Sequence, residues 1–457
     1  MIVMKFGGTS VESAAAIRRV ASIVRDRLAR RPIVVVSAMG KTTNRLLKIA
    51  DEAVSGDREE ALSLLAELKD YHLREGLALV PGTLQPDLEN ILNGLFQELE
   101  EMVRGLSIMG ELTPRSTDAV SSYGERLSSE VVALAFEGLG MPSAHVDSRD
   151  LIVTDCRHTQ AAPLFPQTYS RLAATIPPLT QSRVVVMGGF IGATEEGVTS
   201  TLGRGGSDYT ASIVGAGIGA EEIQIWTDVD GMLTADPTVM TGGHRVRTMS
   251  FAEAAELAYF GAKVLHPSTV APAIDKNIPV LILNSRRPEM DGTRITRETV
   301  ATTTIAKSIA CKKNITLLNI VSTRMLMAHG FLRRIFEIFD RFETPVDLVA
   351  TTEVSVSLTI DNTTRLRDIT RELRQFADVS AEENQAIVCL VGDNIRYTPG
   401  VAGKAFTAIG DINVRMISQG ASLLNLSMVV SQDDLRSAVE RLHSDFFGNP
   451  DPTVFAV

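Results

Sequence analysis

Apolar positions are distributed along this chain in two different rhythms. Up to about residue 295, short unbroken apolar runs at 2–4, 33–36, 184–187, 223–226 and 279–283 alternate with longer stretches, such as 11–28 and 207–217, whose apolar residues recur at helical spacing. Unbroken runs are what strands buried on both faces look like, so the alternation predicts a mainly parallel sheet sandwiched by helices. Residues 57–108 read as a long helical region broken at Pro81-Gly82 and at Pro86, with no catalytic grouping.

Beyond 295 the rhythm changes. Strands are expected at 315–322, 345–349 and 354–360, the last alternating apolar and polar residues, with helices at 330–342 and 366–376. The order then recurs: strand 386–391, helix 401–409, strands 413–417 and 424–430, helix 433–446. A repeat of β-α-β-β-α logic predicts two ferredoxin-like βαββαβ modules. An additional strand at 302–311 either precedes the first module or completes the second. The expected domains are 1–295, 302–384 and 385–457.

Composition narrows the class without changing this plan. With 457 residues, 44% hydrophobic and 22% charged, the chain can bury a normal core. Its net charge of −10 gives no reason to expect nucleic acid or an anionic membrane as partner. Cys156, Cys311 and Cys389 share no metal or disulfide spacing. No apolar run approaches a membrane span and no signal-like start is visible, so the expected location is cytoplasmic.

Glycines, hydroxyls and charges gather where strands end. Lys5-Phe6-Gly7-Gly8-Thr9-Ser10 follows the first strand, but its lysine precedes the glycines, the reverse of a Walker A loop. Read by itself it is either a nucleotide-holding turn, with Thr9 or Ser10 capping a helix behind it, or a plain tight turn. Thr201-Leu202-Gly203-Arg204-Gly205-Gly206-Ser207-Asp208 offers a nest of amides, an arginine fork and an acid in a first helical turn. The loop Ser37-Ala38-Met39-Gly40-Lys41-Thr42-Thr43-Asn44 leaves another strand at the end where open α/β sheets bind ligands. Glu125, in Tyr123-Gly124-Glu125-Arg126-Leu127-Ser128, either accepts an ammonium or pairs with Arg126 as a surface charge. Trp226-Thr227-Asp228-Val229-Asp230-Gly231 and Phe260-Gly261-Ala262-Lys263-Val264-Leu265-His266-Pro267 complete the set.

These six motifs, in this order, resemble the aspartokinases of the amino acid kinase family, and the resemblance extends over nearly the whole chain. It implies an amino acid kinase fold followed by two ACT regulatory domains, without an attached homoserine dehydrogenase. It also implies that ATP, with Mg²⁺, phosphorylates L-aspartate in the first step toward lysine, threonine and methionine. Carried over by motif, Lys5 and Asp208 are catalytic; Lys5, Phe6, Gly7, Gly8, Thr227, Asp228, Lys263 and Val264 hold the nucleotide; Thr43, Glu125, Arg204 and Ser207 hold the amino acid. No dedicated metal ligands are implied. Leu233 and Thr238 depart from the family pattern, which often has tyrosine and arginine there.

In the first module Met325, Phe331, Leu332, Asp347, Thr352, Glu353 and Val354 resemble the effector pocket of lysine-sensitive aspartokinases, implying feedback inhibition by lysine. The plainer alternative leaves Phe331 and Leu332 in the core and both acids in solvent. The resemblance further implies a homodimer, or a dimer of dimers, through the ACT domains. The competing functions are another amino-acid kinase of the same fold and a non-catalytic amino-acid sensor.

Overall fold

The computed structural model describes residues 1–261, 265, 267–298, 305–322 and 329–456. They form two units, Met1–Met232 with Leu265–Glu298, and Leu233–Val264 with Thr299–Val457. Among the described residues no helix is long and apolar enough to cross a membrane.

In the first unit seven strands lie in the order Thr293–Thr296, Val280–Asn284, Glu222–Thr227, Ile2–Phe6, Pro32–Val36, Val184–Gly188 and Ser143–Val146. All neighbours are parallel except the first two. Every residue of Ile2–Phe6, Pro32–Val36 and Val184–Gly188 is buried, as strands covered on both faces must be. The Ile2–Phe6 strand is central, so the loops after it and its neighbours share one end of the sheet.

Helix boundaries correct two expectations. The Ala14–Arg25 helix is capped by Ser13, whose side chain accepts from the Ala16 amide, and not by Thr9 or Ser10. Ser10 lies in a short 3₁₀ turn, Gly8–Ser10, with its hydroxyl bonded to that of Ser285. Pro86 does not interrupt a helix; it occupies the first turn of Gln85–Met109, where a missing N–H costs nothing.

The second unit carries a six-stranded antiparallel sheet ordered Val349–Thr351, Ser355–Ile360, Ala306–Val321, Asp378–Gly392, Asn425–Ser431 and Met416–Gln419. Two of these strands are long and serve two modules each. Residues 315–321 pair with Ser355–Ile360 and with 378–385, whereas 306–312 pair with 387–392, which also pair with Asn425–Ser431. The stretch 306–312 thus pairs with a strand of the second module and 315–321 with strands of the first, within one continuous strand. Register shifts fall between 312 and 317, and Asn314 and Asn384 take left-handed conformations there, which asparagine tolerates better than most residues. A strand expected at 345–349 instead starts at Val349; before it, the Asp347 amide donates to the Thr359 carbonyl and the Leu348 amide to the Thr359 hydroxyl.

Residues 233–261 cluster with this second unit. The Phe251–Tyr259 helix supplies Glu253, which forms a fully buried ion pair with Lys307 at 2.9 Å, and Glu256, which accepts from Ser422 and Asn425 at 2.6 Å each. This segment lies inside the 1–295 stretch expected as one domain, yet Glu253 and Glu256 tie it to the antiparallel sheet.

Candidate active site

Lys5 is the fourth residue of the central strand, flanked in register by Val35 and Ile225. A lysine amid wholly apolar neighbours needs a counter-charge, and Asp208 provides it at 2.7 Å, with side-chain exposures of only 11% and 15%. Asp208 stands in the first turn of Gly206–Ile218, whose N-cap Gly205 has φ 71° and offers no side-chain cap. Helix capping is therefore not what the Gly-Arg-Gly-Gly-Ser-Asp sequence is for.

Around this pair lies a cavity of about 490 Å³, whose wall includes Lys5, Thr43, Glu125, Arg204, Ser207 and Asp208. Four separate motifs thus converge on one space. Glu125 is 4% exposed. Arg126 does not pair with it: the guanidinium lies over the Tyr123 ring and bonds Glu98 at 3.2 Å. One Glu125 oxygen accepts from the Ala38 amide at 3.1 Å, and the other, Oε2, has no hydrogen-bond partner. Burial pushes the carboxyl up to about 8. A buried acid with a spare oxygen facing a cavity is suited to receive a cation.

The Lys-Phe-Gly-Gly turn proves less uniform than its resemblance implies. Phe6 is fully buried and stacks against Trp226 with ring centroids 5.9 Å apart, so its side chain is core and does not reach the cavity. Its carbonyl is used by the Ser37 amide. Gly8 is glycine for a packing reason: a Cβ there would lie 2.8 Å from the Gly40 carbonyl oxygen and 2.9 Å from that of Ala38. Gly7 has no such constraint: a Cβ there would meet Lys5 Nζ only at ordinary contact distance, 3.7 Å. Thr227 ends the adjacent strand and Asp228 follows it, neither lining the cavity, with the Thr227 carbonyl held by Ser285. Lys263 and Val264 lie outside the described residues.

Sequence reasoning missed part of the wall. Thr117, Ser121, Thr159 and Phe190 also line the cavity, as do Ser37 and Thr201, which open two of the quoted loops but had no assigned role. Phe190 has φ 66°, rare for a bulky residue, and its amide donates to Thr210 Oγ1 at 2.9 Å. The available signal was Gly188-Gly189, two glycines at the end of another parallel strand.

The expected effector residues divide. Phe331 is a core residue, packed edge-on against Phe376 at 5.5 Å. Leu332 and Val354 are exposed, as is Glu353. The Thr352 hydroxyl is engaged in its own turn, with Val354 and Ser355. Asp347 is not solvated; its carboxylate meets Lys312 at 2.6 Å, and Lys312 also meets Asp361 at 2.8 Å. Met325 lies outside the described residues.

The amino acid kinase family model matches residues 1–284, and an ACT domain model matches residues 388–446. Aspartokinase 2, chloroplastic, of Arabidopsis thaliana is 38% identical over 97% of this chain and 84% of its own length. Among solved structures, Escherichia coli aspartokinase III is 34% identical. Its complex with lysine and aspartate in the T-state has a TM-score of 0.82 and covers 98% of this chain and 99% of its own. The complex with aspartate and ADP in the R-state scores 0.81 and covers 98% and 100%. Likeness of this extent in both sequence and fold, over both units, places the chain in the amino acid kinase family and, within it, among the aspartokinases, with an ACT domain at its C-terminal end.

Proposed function

We propose that the chain transfers the γ-phosphoryl group of ATP to the side-chain carboxylate of L-aspartate, giving ADP and 4-phospho-L-aspartate, and that lysine inhibits it through the first ACT module. The observation carrying this reading is the convergence of Lys5, Asp208, Glu125 and Arg204 on one cavity. The Escherichia coli relative, solved with aspartate and ADP and with aspartate and lysine, supports it.

The chemistry asks for little beyond placement. A side-chain carboxylate with a pKa of about 3.9 is ionised near neutrality, so the nucleophile needs no general base. What must be supplied is alignment and neutralisation of the charge on the phosphoryl group in flight. Lys5 provides that positive charge, and Asp208 holds the ammonium at the strand end. Arg204 suits two-point binding of the aspartate α-carboxylate, Glu125 Oε2 takes its ammonium, and Thr43 and Ser207 add hydroxyls. Gly7, Gly8, Thr227 and Asp228, with Lys263 and Val264, form the nucleotide side.

Among the described residues no three His, Cys, Asp or Glu side chains gather as a metal cage. A Mg²⁺ carried in on the nucleotide, mostly ligated by phosphate and water, would when bound neutralise the phosphates. The exposed edge strand Val349–Thr351 and the exposed Leu332 and Phe336 support a homodimer, or a dimer of dimers, through the ACT modules. A cytoplasmic setting, where ATP is abundant, goes with three unpaired cysteines.

Purified protein with ATP, Mg²⁺, L-aspartate and hydroxylamine should yield aspartyl hydroxamate, and lysine should suppress it where threonine and methionine do not. No hydroxamate, with acetylglutamate or glutamate phosphorylated instead, would overturn the substrate assignment.

A further inference from the structure

One buried carboxylate has no part in the roles given above. Asp118 lies in the second turn of the Pro114–Gly138 helix and is 0% exposed. Its oxygens accept from His158 Nδ1 at 2.7 Å, from the Thr159 amide at 3.0 Å, and from Thr201 Oγ1 at 2.5 Å. The donors come from two segments distant in sequence: the loop around 156–160 and the strand Thr199–Thr201. Both segments wall the cavity, through Thr159 and Thr201, and the helix bearing Asp118 adds Thr117, Ser121 and Glu125 to the same wall.

The loop is not held in place by its own preferences. Thr159 has φ 69°, a conformation that β-branched residues avoid and that persists only when the surroundings enforce it. The amide of that very residue is bonded to Asp118. The strained carbonyl then bears on the glycine-rich loop: the Thr159 oxygen is 3.1 Å from where a Cβ on Gly203 would stand, and Gly203 has φ 75°. Arg204 follows directly.

We infer that Asp118 is a positioning residue for the amino-acid half of the site. It clamps Thr159 and Thr201 from behind the wall and, through the abutment of Thr159 on Gly203, sets where the Arg204 guanidinium meets the substrate carboxylate. The inference rests on the proposed reaction with aspartate. It predicts a division that general damage would not produce, because both clamped segments wall the cavity together with Arg204 and Ser207, the residues proposed to hold the amino acid.

Steady-state kinetics test it. Asp118→Asn keeps the shape but loses one acceptor oxygen and the charge, so the KM for aspartate should rise about tenfold or more, since small misplacements near reacting groups are costly. The KM for ATP should stay within about twofold and kcat within about threefold. Thr201→Val, which removes one donor, should give a smaller rise with the same division, and Thr201→Ser should restore wild-type behaviour. An unchanged aspartate KM in Asp118→Asn overturns the inference. If that variant does not fold, the Thr201 pair decides: a rise in both KM values together, or equal behaviour of Val and Ser, overturns it. A wild-type protein inactive on aspartate strikes at the proposed function instead and is seen before any variant is made.

Discussion

Two lysine–aspartate pairs of nearly equal length sit in the two units of this protein, and they have opposite surroundings. Lys5 and Asp208, 2.7 Å apart, face an open cavity with a second carboxylate and an arginine on its walls. Lys312 and Asp347, 2.6 Å apart, are joined by a second acid, Asp361, and the Asp347 side chain is 5% exposed. The first pair places a cation at the edge of a space built for anions. The second uses a cation to neutralise a carboxylate that the effector resemblance assigns to an incoming ammonium. On the proposed function, an ion pair serves catalysis in one place and competes with the effector in the other, and only its neighbours tell them apart.

The largest effect should come from cutting the first pair. Lys5→Ala removes the one described cation at the strand end, and loss of such a charge-stabilising donor typically costs about 10²–10³ in kcat. Asp208→Asn should lose less, because the ammonium remains while its tether weakens. Measured kcat for the two variants, with lysine binding followed separately by calorimetry, checks both points: near-normal turnover in Lys5→Ala would remove its assigned role. Intact effector binding in the inactive variant would show the two pairs to be functionally separable.

A smaller effect concerns Glu125 and pH. Burial holds this carboxyl at about 8 in the free protein, so below that pH it mostly keeps its proton, whereas an ammonium prefers the ionised form. Aspartate affinity should therefore rise with pH, by up to about tenfold per unit between pH 6 and 8, and level off above. The linked stability runs the other way: a raised carboxyl stabilises the fold below its unfolded value of 4.5, and that contribution is lost as pH climbs toward 8. Glu125→Gln should abolish the slope of aspartate KM against pH while raising KM throughout. A wild-type KM flat across this range would remove Glu125 as the ammonium acceptor.

These contrasts mark where the sequence was readable. The parallel sheet was visible because strands covered on both faces must be unbroken apolar runs, and Lys5 stood out as the exception within one. Arg204 and Asp208 were legible because glycines and charges at a strand–helix junction have few other uses. Phe6 misled because a motif letter does not say whether side chain or backbone faces the ligand; its ring is packed on Trp226. Asp118, Thr159 and Phe190 escaped because their significance lies in contacts across 40 or more residues and in positive φ angles, neither of which leaves a local pattern. The second unit was harder still. Its strands 306–312 and 315–321 are one strand shared by two modules, a pairing that periodicity alone left open. Asp347 was carried over from the effector-pocket resemblance, but its partner Lys312 comes from that shared strand.

The smallest predicted effect bears most directly on the comparison. Burial raises the Asp347 carboxyl above its ordinary range even though Lys312 pulls it down, and its second oxygen, Oδ2, is buried without a hydrogen-bond partner. An effector ammonium arriving there meets a charge already half-satisfied. Lys312→Met keeps the aliphatic stem and removes the internal cation, so inhibition by lysine should tighten by about threefold to fivefold, the worth of a partly solvated pair at about 1 kcal/mol. Asp347→Ala should have the opposite sign and relieve inhibition. Dose–response curves for lysine on the two variants separate the possibilities: if Lys312→Met weakens inhibition as Asp347→Ala does, Lys312 orients the effector site instead of competing for it, and the contrast between the two lysine–aspartate pairs disappears.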